Sequence, residues 1–193
     1  MFNRHDVESP EEEQGGLGGI GEILLTIAVA VVLALLMRAF VFEVFEVPTG
    51  SMLETIQLDD RIIGEKLSYR FRVPQRGEIV TFDNPSKDGT TLVKRVIATG
   101  GQTLDLQGGR VVVDGEVLDE PYVNGRESVP LSQQLPGIGP ITYPYTIPDG
   151  YIWVMSDNRT NSKDSRYFGA VPVSDVTSHA VWTIWPPKDF GTL

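Results

Sequence analysis

The sequence predicts a mainly β protein, with an N-terminal single transmembrane helix followed by an antiparallel β-rich domain that includes a Gly/Pro-rich excursion. One observation is an uncharged apolar run near the start of the 193-residue chain. The other is a series of short Val, Ile, Thr and Tyr runs separated by many of its 20 Gly and 13 Pro residues. Short β-branched runs bounded by turn residues are typical of antiparallel sheets joined by hairpins.

The N-terminal 42 residues divide into a polar part and an apolar part. Residues 1–19 are acidic and rich in Gly, and such a composition buries too little apolar surface to order itself, which predicts a flexible tail. Residues 23–37 carry no charge, and the apolar run resumes after Arg38 as far as Phe42. The resulting segment, 20–42, has about the length of a helix that crosses a bilayer.

Two alternatives compete with a membrane span. A cleaved signal peptide is disfavoured because no basic segment precedes the run and no small-residue cleavage site follows it. A buried core helix remains open, although hydrophobicity on all faces favours contact with lipid. Only Arg4 precedes the uncharged run 23–37 and Arg38 directly follows it, so the charge pattern leans slightly against an external C-terminal domain.

Residues 43–193 form the predicted β-rich domain. Asp114-Gly115 stands between two apolar runs and predicts a tight hairpin. Residues 124–148 are rich in Pro, Gly and Gln with little periodicity, which predicts an excursion loop. The strand-like runs are Arg61–Gly64, Glu78–Phe82, Thr91–Thr99, Arg110–Val113, Tyr151–Met155 and His179–Ile184.

Composition excludes several chemistries. A net charge of −10 argues against nucleic-acid binding, and the absence of Cys excludes disulfides, thiolate nucleophiles and Cys-based zinc sites. The two histidines, His5 in the tail and His179 in a strand-like run, support neither a Ser–His–Asp triad nor a histidine metal site. The acidic and amide residues between Asp157 and Asp164 lack the Gly and the closing Glu of a calcium loop. We therefore expect no metal and no cofactor.

Lys94 is the candidate general base. The strand period places it between Leu92 and Val96 on one face, where loss of hydration would lower its pKa from about 10.4 toward the working pH of a base. The alternative is that the opposite face is buried and Lys94 points into water. From the strand alone, that alternative is favoured.

Ser51 is the candidate nucleophile, because it lies in the turn Pro48-Thr49-Gly50-Ser51-Met52, where Gly allows close approach of a substrate backbone. Backbone amides of such a turn can point at a developing oxyanion. Most turns of this composition are structural, however. The polar segment 155–169, dense in Asp, Asn, Ser and Arg, is either a rigid, internally bonded loop or a solvated one.

Taken together and in order, these segments resemble the type I signal peptidases (leader peptidases), Ser–Lys serine proteases. The resemblance covers nearly the whole chain from about residue 20. It rests on the apolar segment followed by Pro48–Met52, Lys94-Arg95-Val96-Ile97, Gly100-Gly101 with Asp114-Gly115 and Glu120-Pro121-Tyr122, and finally Ser156 through Arg166.

The resemblance implies a role for each matching residue. Ser51 would be the nucleophile and Lys94 the base, while Thr49 and the Ser51 backbone N–H would form the oxyanion hole. Ser162 matches the serine that hydrogen-bonds the lysine and orients it. The residues expected to support this loop are Asp157, Asn158, Arg159, Asp164 and Arg166. One departure from the family motif is Ser156, which stands where the family has Gly.

The resemblance also implies the setting. Preproteins with signal peptides, cleaved after small residues of the Ala-x-Ala type, would be the substrates, and the lipid bilayer the other partner. The tail 1–19 would be cytoplasmic and the domain 43–193 extracytoplasmic, in a single-pass protein of the cytoplasmic (plasma) membrane. The alternatives are a related Ser–Lys processing protease with a dedicated substrate and a catalytically silent β-domain that binds exported chains.

Overall fold

The computed structural model describes residues 17–160 and 162–193, and the chain divides into two compact units, residues 1–38 and Ala39–Leu193. Most of the predicted acidic tail, including His5, lies outside the described residues.

The described part of the first unit belongs to helix α1 (Leu17–Phe40). Its part from Gly19 to Phe40 is 22 residues long and apolar enough to cross a membrane by length and composition, and its large apolar side chains are exposed. The Thr26 hydroxyl donates to the Glu22 carbonyl over 2.8 Å, so this polar group is satisfied within the helix. The helix ends two residues before the predicted boundary because Phe42 begins a strand.

The second unit is mainly antiparallel β, as predicted. It also contains a short α-helix, α2 (Ser165–Phe168). Its strands are β1 (Phe42–Glu46), β2 (Arg61–Glu65), β3 (Ile79–Asp83), β4 (Thr91–Thr99), β5 (Thr103–Gln107), β6 (Arg110–Val113), β7 (Glu116–Val117), β8 (Tyr145–Thr146), β9 (Tyr151–Met155), β10 (Val171–Pro172), β11 (Val176–Trp185) and β12 (Gly191–Thr192).

The strands form two sheets. The larger has the order β1-β2-β11-β3-β4-β9-β10, with β12 paired to β11, and the smaller has the order β7-β6-β5-β8. The predicted hairpin is confirmed, since Val113 pairs with Glu116 and the two residues between them, Asp114 and Gly115, have φ of 53° and 84°. Positive φ at both central residues is the requirement of a type I′ turn.

Clusters of buried apolar side chains support the strands and the turn that carry the candidate residues. Ile97 and Trp153 of the larger sheet pack with Leu104 and Val111 of the smaller one, which joins the two sheets. A separate cluster, which includes Met52, lies below the Ser51 turn. Its members are Val47, Met52, Ile56, Ile62, Ile79 and Ala180.

The segment 124–148 contains one strand, β8, which extends the smaller sheet by pairing with β5. Elsewhere it is held by hydrogen bonds to the polar segment 155–169. The Leu135 N–H donates to the Tyr167 carbonyl over 2.8 Å, and the Arg166 guanidinium donates to the Val129 carbonyl over 3.2 Å. The excursion therefore braces the loop that follows β9.

Candidate active site

Ser51 lies in a single 3-10 turn, Gly50–Met52, whose position is fixed from two sides. Below it, the Met52 side chain is fully buried. From the polar segment, Asn158 donates its backbone N–H to the Ser51 carbonyl over 3.0 Å and its side-chain amide to the Gly50 carbonyl over 2.9 Å. A Cβ at Gly50 would come within 2.9 Å of the Leu53 side chain, so a glycine suits this close turn. The backbone that presents the Ser51 hydroxyl is thus held by packing and by hydrogen bonds.

Lys94 lies on β4 with its side chain turned inward. Its neighbours on that face are Leu92, which is half-buried, and Val96, which is fully buried. The lysine side chain is 3% exposed, and Nζ donates to Ser51 Oγ over 2.9 Å and to the Val93 carbonyl over 2.8 Å. The structure therefore has the buried orientation of Lys94 and not the solvent-facing alternative.

Burial changes the acid–base behaviour of this lysine. Loss of hydration lowers the pKa of Lys94 to about 8, and the negative charges of Asp164 and Asp157 oppose that shift without cancelling it. At a pKa of about 8, roughly a tenth of the lysine is neutral at pH 7, compared with well under a thousandth at its ordinary pKa. Lys94 can therefore accept a proton near neutral pH.

Asp157 is the first buried carboxylate of the polar segment. Arg95, the neighbour of Lys94 on the opposite face of β4, binds it through two hydrogen bonds of 2.9 and 2.7 Å. The Thr55 hydroxyl donates to the same carboxylate over 2.5 Å. The guanidinium of Arg95 also lies over the Tyr122 ring, 4.2 Å from its centroid. The strand that carries the lysine is therefore tied to the loop behind it.

Asp164 forms a second bidentate pair, with Arg166, through hydrogen bonds of 2.9 and 2.8 Å, and both side chains are fully buried. The Ser156 N–H donates to the same carboxylate over 3.1 Å. Arg166 also donates to the Arg159 carbonyl over 2.8 Å. The two ends of the polar segment are thereby joined.

Arg159 forms the third ion pair. It binds Glu120 with a shortest distance of 2.6 Å, donates to the Ser156 carbonyl over 2.7 Å and also contacts the Ser128 hydroxyl. The loop is therefore internally bonded through largely buried side chains, although Thr160 and Lys163 are exposed. Of the residues that could have suggested a calcium loop, Asp157 and Asp164 are bound in two of these pairs and Asn158 is bound to the Ser51 turn.

Ser162 has a different neighbour from the predicted one. Its hydroxyl is hydrogen-bonded to the hydroxyl of Ser156. Among residues 17–160 and 162–193, no hydrogen bond joins Ser162 to Lys94. The lysine-orienting role of Ser162 stays a prediction.

A groove of about 230 Å³ opens at Ser51 and Lys94. Phe45, Val47 and Thr49 line one wall, and β4 residues from Thr91 to Lys94 line the other. Thr49 is exposed, and within the described part of the chain its hydroxyl makes no hydrogen bond. Thr49 therefore lies beside Ser51 with a donor available to a bound molecule.

Some of these residues could have been identified from the sequence and others could not. Arg95, Glu120 and Tyr122 belong to the matching segments, although no role followed for them. Thr55 and Ser128 carry no local signal. His179, which the sequence placed in a strand, lies on β11 with its ring 5.8 Å from that of Tyr69.

Comparison with known proteins identifies the family. The chain matches the family described as signal peptidase, peptidase S26, over residues 20–185. A probable signal peptidase I-1 of Synechocystis is 38% identical over 181 residues, which cover 90% of this chain and 87% of the relative. A signal peptidase I of Leptolyngbya laminosa is 38% identical, covering 89% and 83%. A signal peptidase I of Mycobacterium tuberculosis is 32% identical, covering 89% and 74%. With a family match over most of its length, the chain belongs to the signal peptidases of the peptidase S26 family and is a serine endopeptidase.

Proposed function

We propose that this protein removes signal peptides from exported preproteins by acyl transfer, with Ser51 as nucleophile and Lys94 as general base. The observation that carries the assignment is the 2.9 Å hydrogen bond between Lys94 Nζ and Ser51 Oγ in a buried setting. A nucleophile within hydrogen-bond reach of a base that is neutral near the working pH is the arrangement that acyl transfer requires.

The reaction has two stages. Neutral Lys94 takes the Ser51 proton while Oγ attacks the carbonyl carbon of the scissile bond, and the carbonyl oxygen becomes an oxyanion. The Ser51 N–H and the Thr49 hydroxyl are the proposed donors to that oxyanion. As the C–N bond breaks, protonated Lys94 gives its proton to the leaving amine. Lys94 then takes a proton from a water molecule as that water attacks the ester carbonyl. When the bond to Oγ breaks, Lys94 returns the proton to Ser51 Oγ and the signal peptide leaves with a free carboxyl group.

The supporting residues hold this geometry. Asn158 fixes the Ser51 turn, while Asp157 with Arg95, and Asp164 with Arg166, fix the loop beside Lys94. We assign Ser162 a positioning role next to the lysine, and Arg159 a structural role through Glu120. The groove walls from Phe45 to Thr49 and from Thr91 to Lys94 suit an extended peptide with small side chains, such as an Ala-x-Ala segment.

The decisive experiment is cleavage of a preprotein with an Ala-x-Ala site by the detergent-solubilised full chain. Ser51→Ala and Lys94→Arg should fold and show no cleavage, because neither alanine nor a permanently charged guanidinium can replace the reacting group. Lys188→Arg, at a side chain that is 77% exposed, is the matched control and should cleave normally. Cleavage by Ser51→Ala would refute the nucleophile, and the absence of cleavage by the unaltered chain would favour a silent binding domain.

For the setting, we propose that the segment 20–42 spans the cytoplasmic membrane, with the tail 1–19 in the cytoplasm and the domain 43–193 outside. The length and composition of α1 support a span, and the family match supports the direction. Because the chain has no Cys, single cysteines introduced by S9C and S86C can be labelled cleanly with a membrane-impermeant maleimide. In intact cells or right-side-out vesicles S86C should react and S9C should not; the reverse pattern would overturn the orientation.

A further inference from the structure

One edge of β4 is available to a bound peptide beside Ser51. β3 pairs with the opposite edge from Thr91 to Arg95, whereas β9 pairs with this edge only from Arg95 to Thr99. Among the described strands, none pairs with this edge from Thr91 to Lys94, and that stretch lines the groove. An extended peptide bound here adds a strand to the sheet, so its successive side chains alternate between the two faces.

The two faces of β4 differ in the room that they leave for those side chains. On the face of Val93 lies an apolar cluster that includes Val47 and Met52, which leaves space for small side chains. On the face of Leu92 the groove adjoins a second cavity of about 180 Å³, and Leu92 lines both. In an Ala-x-Ala segment the two alanines share one face and the residue between them takes the other. The alanines therefore fit the Val93 face, and the middle side chain points toward the second cavity.

The second cavity lies between the hairpin that joins β3 to β4 and the segment that follows β9. Asp88 lines it from the hairpin, and Lys163 and Tyr167 line it from the segment after β9. Leu92 and Leu135 supply apolar surface. The lining therefore combines apolar contacts with two groups of opposite charge.

These two charged groups differ in whether they are already bound. The Asp88 carboxylate accepts four hydrogen bonds of 2.6 to 3.1 Å from residues 84–90, which occupy its acceptor sites. Lys163 is exposed, and its Nζ lies 4.8 Å from the centroid of the Tyr167 ring. In the described part of the chain Lys163 forms no salt bridge and donates no hydrogen bond. Its ammonium is therefore the charged group of this cavity that is available to a ligand.

We propose that the second cavity receives the side chain between the two alanines of the cleavage site, and that Lys163 makes the enzyme favour an acidic residue there. The proposal rests on the cleavage activity proposed above and deepens it, since it assigns a specificity-determining residue to a substrate position that the groove at Ser51 and Lys94 leaves open. A glutamate at that position places its methylene groups against Leu92 and its carboxylate beside the Lys163 ammonium.

The size of the preference follows from the exposure of Lys163. An ion pair at an exposed site changes an equilibrium by about two- to fivefold and weakens as salt is added. The kcat/KM for an Ala-Glu-Ala site should therefore exceed that for an otherwise identical Ala-Gln-Ala site by about two- to fivefold. The kcat/KM for an Ala-Lys-Ala site should fall below both, because the two ammonium groups repel each other.

The experiment compares cleavage of three preproteins that differ only at this middle position, by the detergent-solubilised full chain and its variants. Lys163→Glu should reverse the order, so that Ala-Lys-Ala is cleaved best, and Lys163→Gln should make the three rates nearly equal. The matched control is Lys188→Glu, which makes the same change of charge at a side chain that is 77% exposed and lines neither cavity. It should keep the order of the unaltered enzyme. In about 1 M salt, where charges are screened beyond about 3 Å, the preference should shrink.

Several results would overturn the proposal. They are an unaltered enzyme that cleaves the three preproteins equally or prefers Ala-Lys-Ala, a Lys163→Glu variant that changes all three rates by one factor, and a reversal that Lys188→Glu also produces. If Lys163→Glu does not fold, Lys163→Gln carries the test through its loss of preference. Cleavage of the Ala-Gln-Ala preprotein by Ser51→Ala, or its resistance to the unaltered chain, would instead refute the proposed function, so the two failures are distinguishable.

Discussion

Replacing Lys94 by methionine should make the protein more stable and inactive at the same time. The unaltered protein must bury an ammonium at a site that is 3% exposed, and this desolvation is the main cause of the lowered pKa. Methionine has a similar unbranched shape and carries no charge, so it should fill the space without that cost. Activity is lost because the variant has no general base, whereas the stability of the folded protein increases because a buried charge has been removed.

The size of the gain follows from the pKa. Between an ordinary value of 10.5 and a value of about 8 in the folded protein, the difference corresponds to about 3 kcal/mol. The folded-state pKa is the lower one, so the unfolded chain binds more protons between these values and stability rises with pH there. The free energy of unfolding of Lys94→Met should therefore exceed that of the unaltered protein by about 2–3 kcal/mol at pH 7. Above pH 10.5 the difference should be small, because Lys94 is then neutral in both the folded and the unfolded protein.

Urea unfolding of the full chain in detergent, followed by tryptophan fluorescence, measures this difference, since Trp153 is fully buried in the domain core. Lys188→Met is the matched control, because its side chain is 77% exposed and its replacement should change stability by less than about 0.5 kcal/mol. A Lys94→Met protein that is less stable than the unaltered one at pH 7 would refute the reasoning. A stability gain that stays constant from pH 7 to pH 11 would refute it too.

Three further predictions concern catalysis and the supporting pairs. Below pH 8, kcat/KM should fall tenfold per pH unit as Lys94 becomes protonated. A fall with its midpoint near pH 6 or near pH 10 would contradict the argument that burial sets the pKa of Lys94. Thr49→Val should lower kcat about 10²–10³-fold with KM nearly unchanged, whereas Thr49→Ser should retain activity; a changed KM alone would remove Thr49 from the oxyanion hole. Asp157→Asn should lower the free energy of unfolding by about 3–5 kcal/mol, because it leaves the Arg95 guanidinium without its buried carboxylate. Asp83→Asn, at an exposed carboxylate, is its control in the same urea titration, and equal effects would show that the pair adds nothing.

The sequence could predict the parts of the fold whose signal is local. The period of two in β4 placed Leu92, Lys94 and Val96 on one face, and Asp114-Gly115 marked a hairpin that the structure contains. It could not decide which face of β4 is buried, because that depends on β3 and β9, which come from distant parts of the chain. Two-residue strands such as β8 exist only through pairing with a longer partner and have no pattern of their own.

The candidate active site could also be predicted only in part. The order of the motifs pointed to Ser51 and Lys94, and their hydrogen bond is present. The partner of Ser162 was not predictable, because it is set by the path of the loop after β9 and by a hydroxyl at Ser156. Likewise the pairing of Arg95 with Asp157 joins residues 62 positions apart, a contact that no local pattern encodes.

The arginines of this site explain how a lysine can be a base among carboxylates. Asp157 and Asp164 both favour the charged form of Lys94, and two unpaired carboxylates in a buried site would hold it protonated. Each is instead matched by its own guanidinium, Arg95 or Arg166, through two hydrogen bonds. An arginine stays charged at any working pH, so these partners compensate the carboxylates permanently and do not compete for the proton. Desolvation then decides the pKa of Lys94, and the same pairs that hold the loop also let the lysine lose its proton.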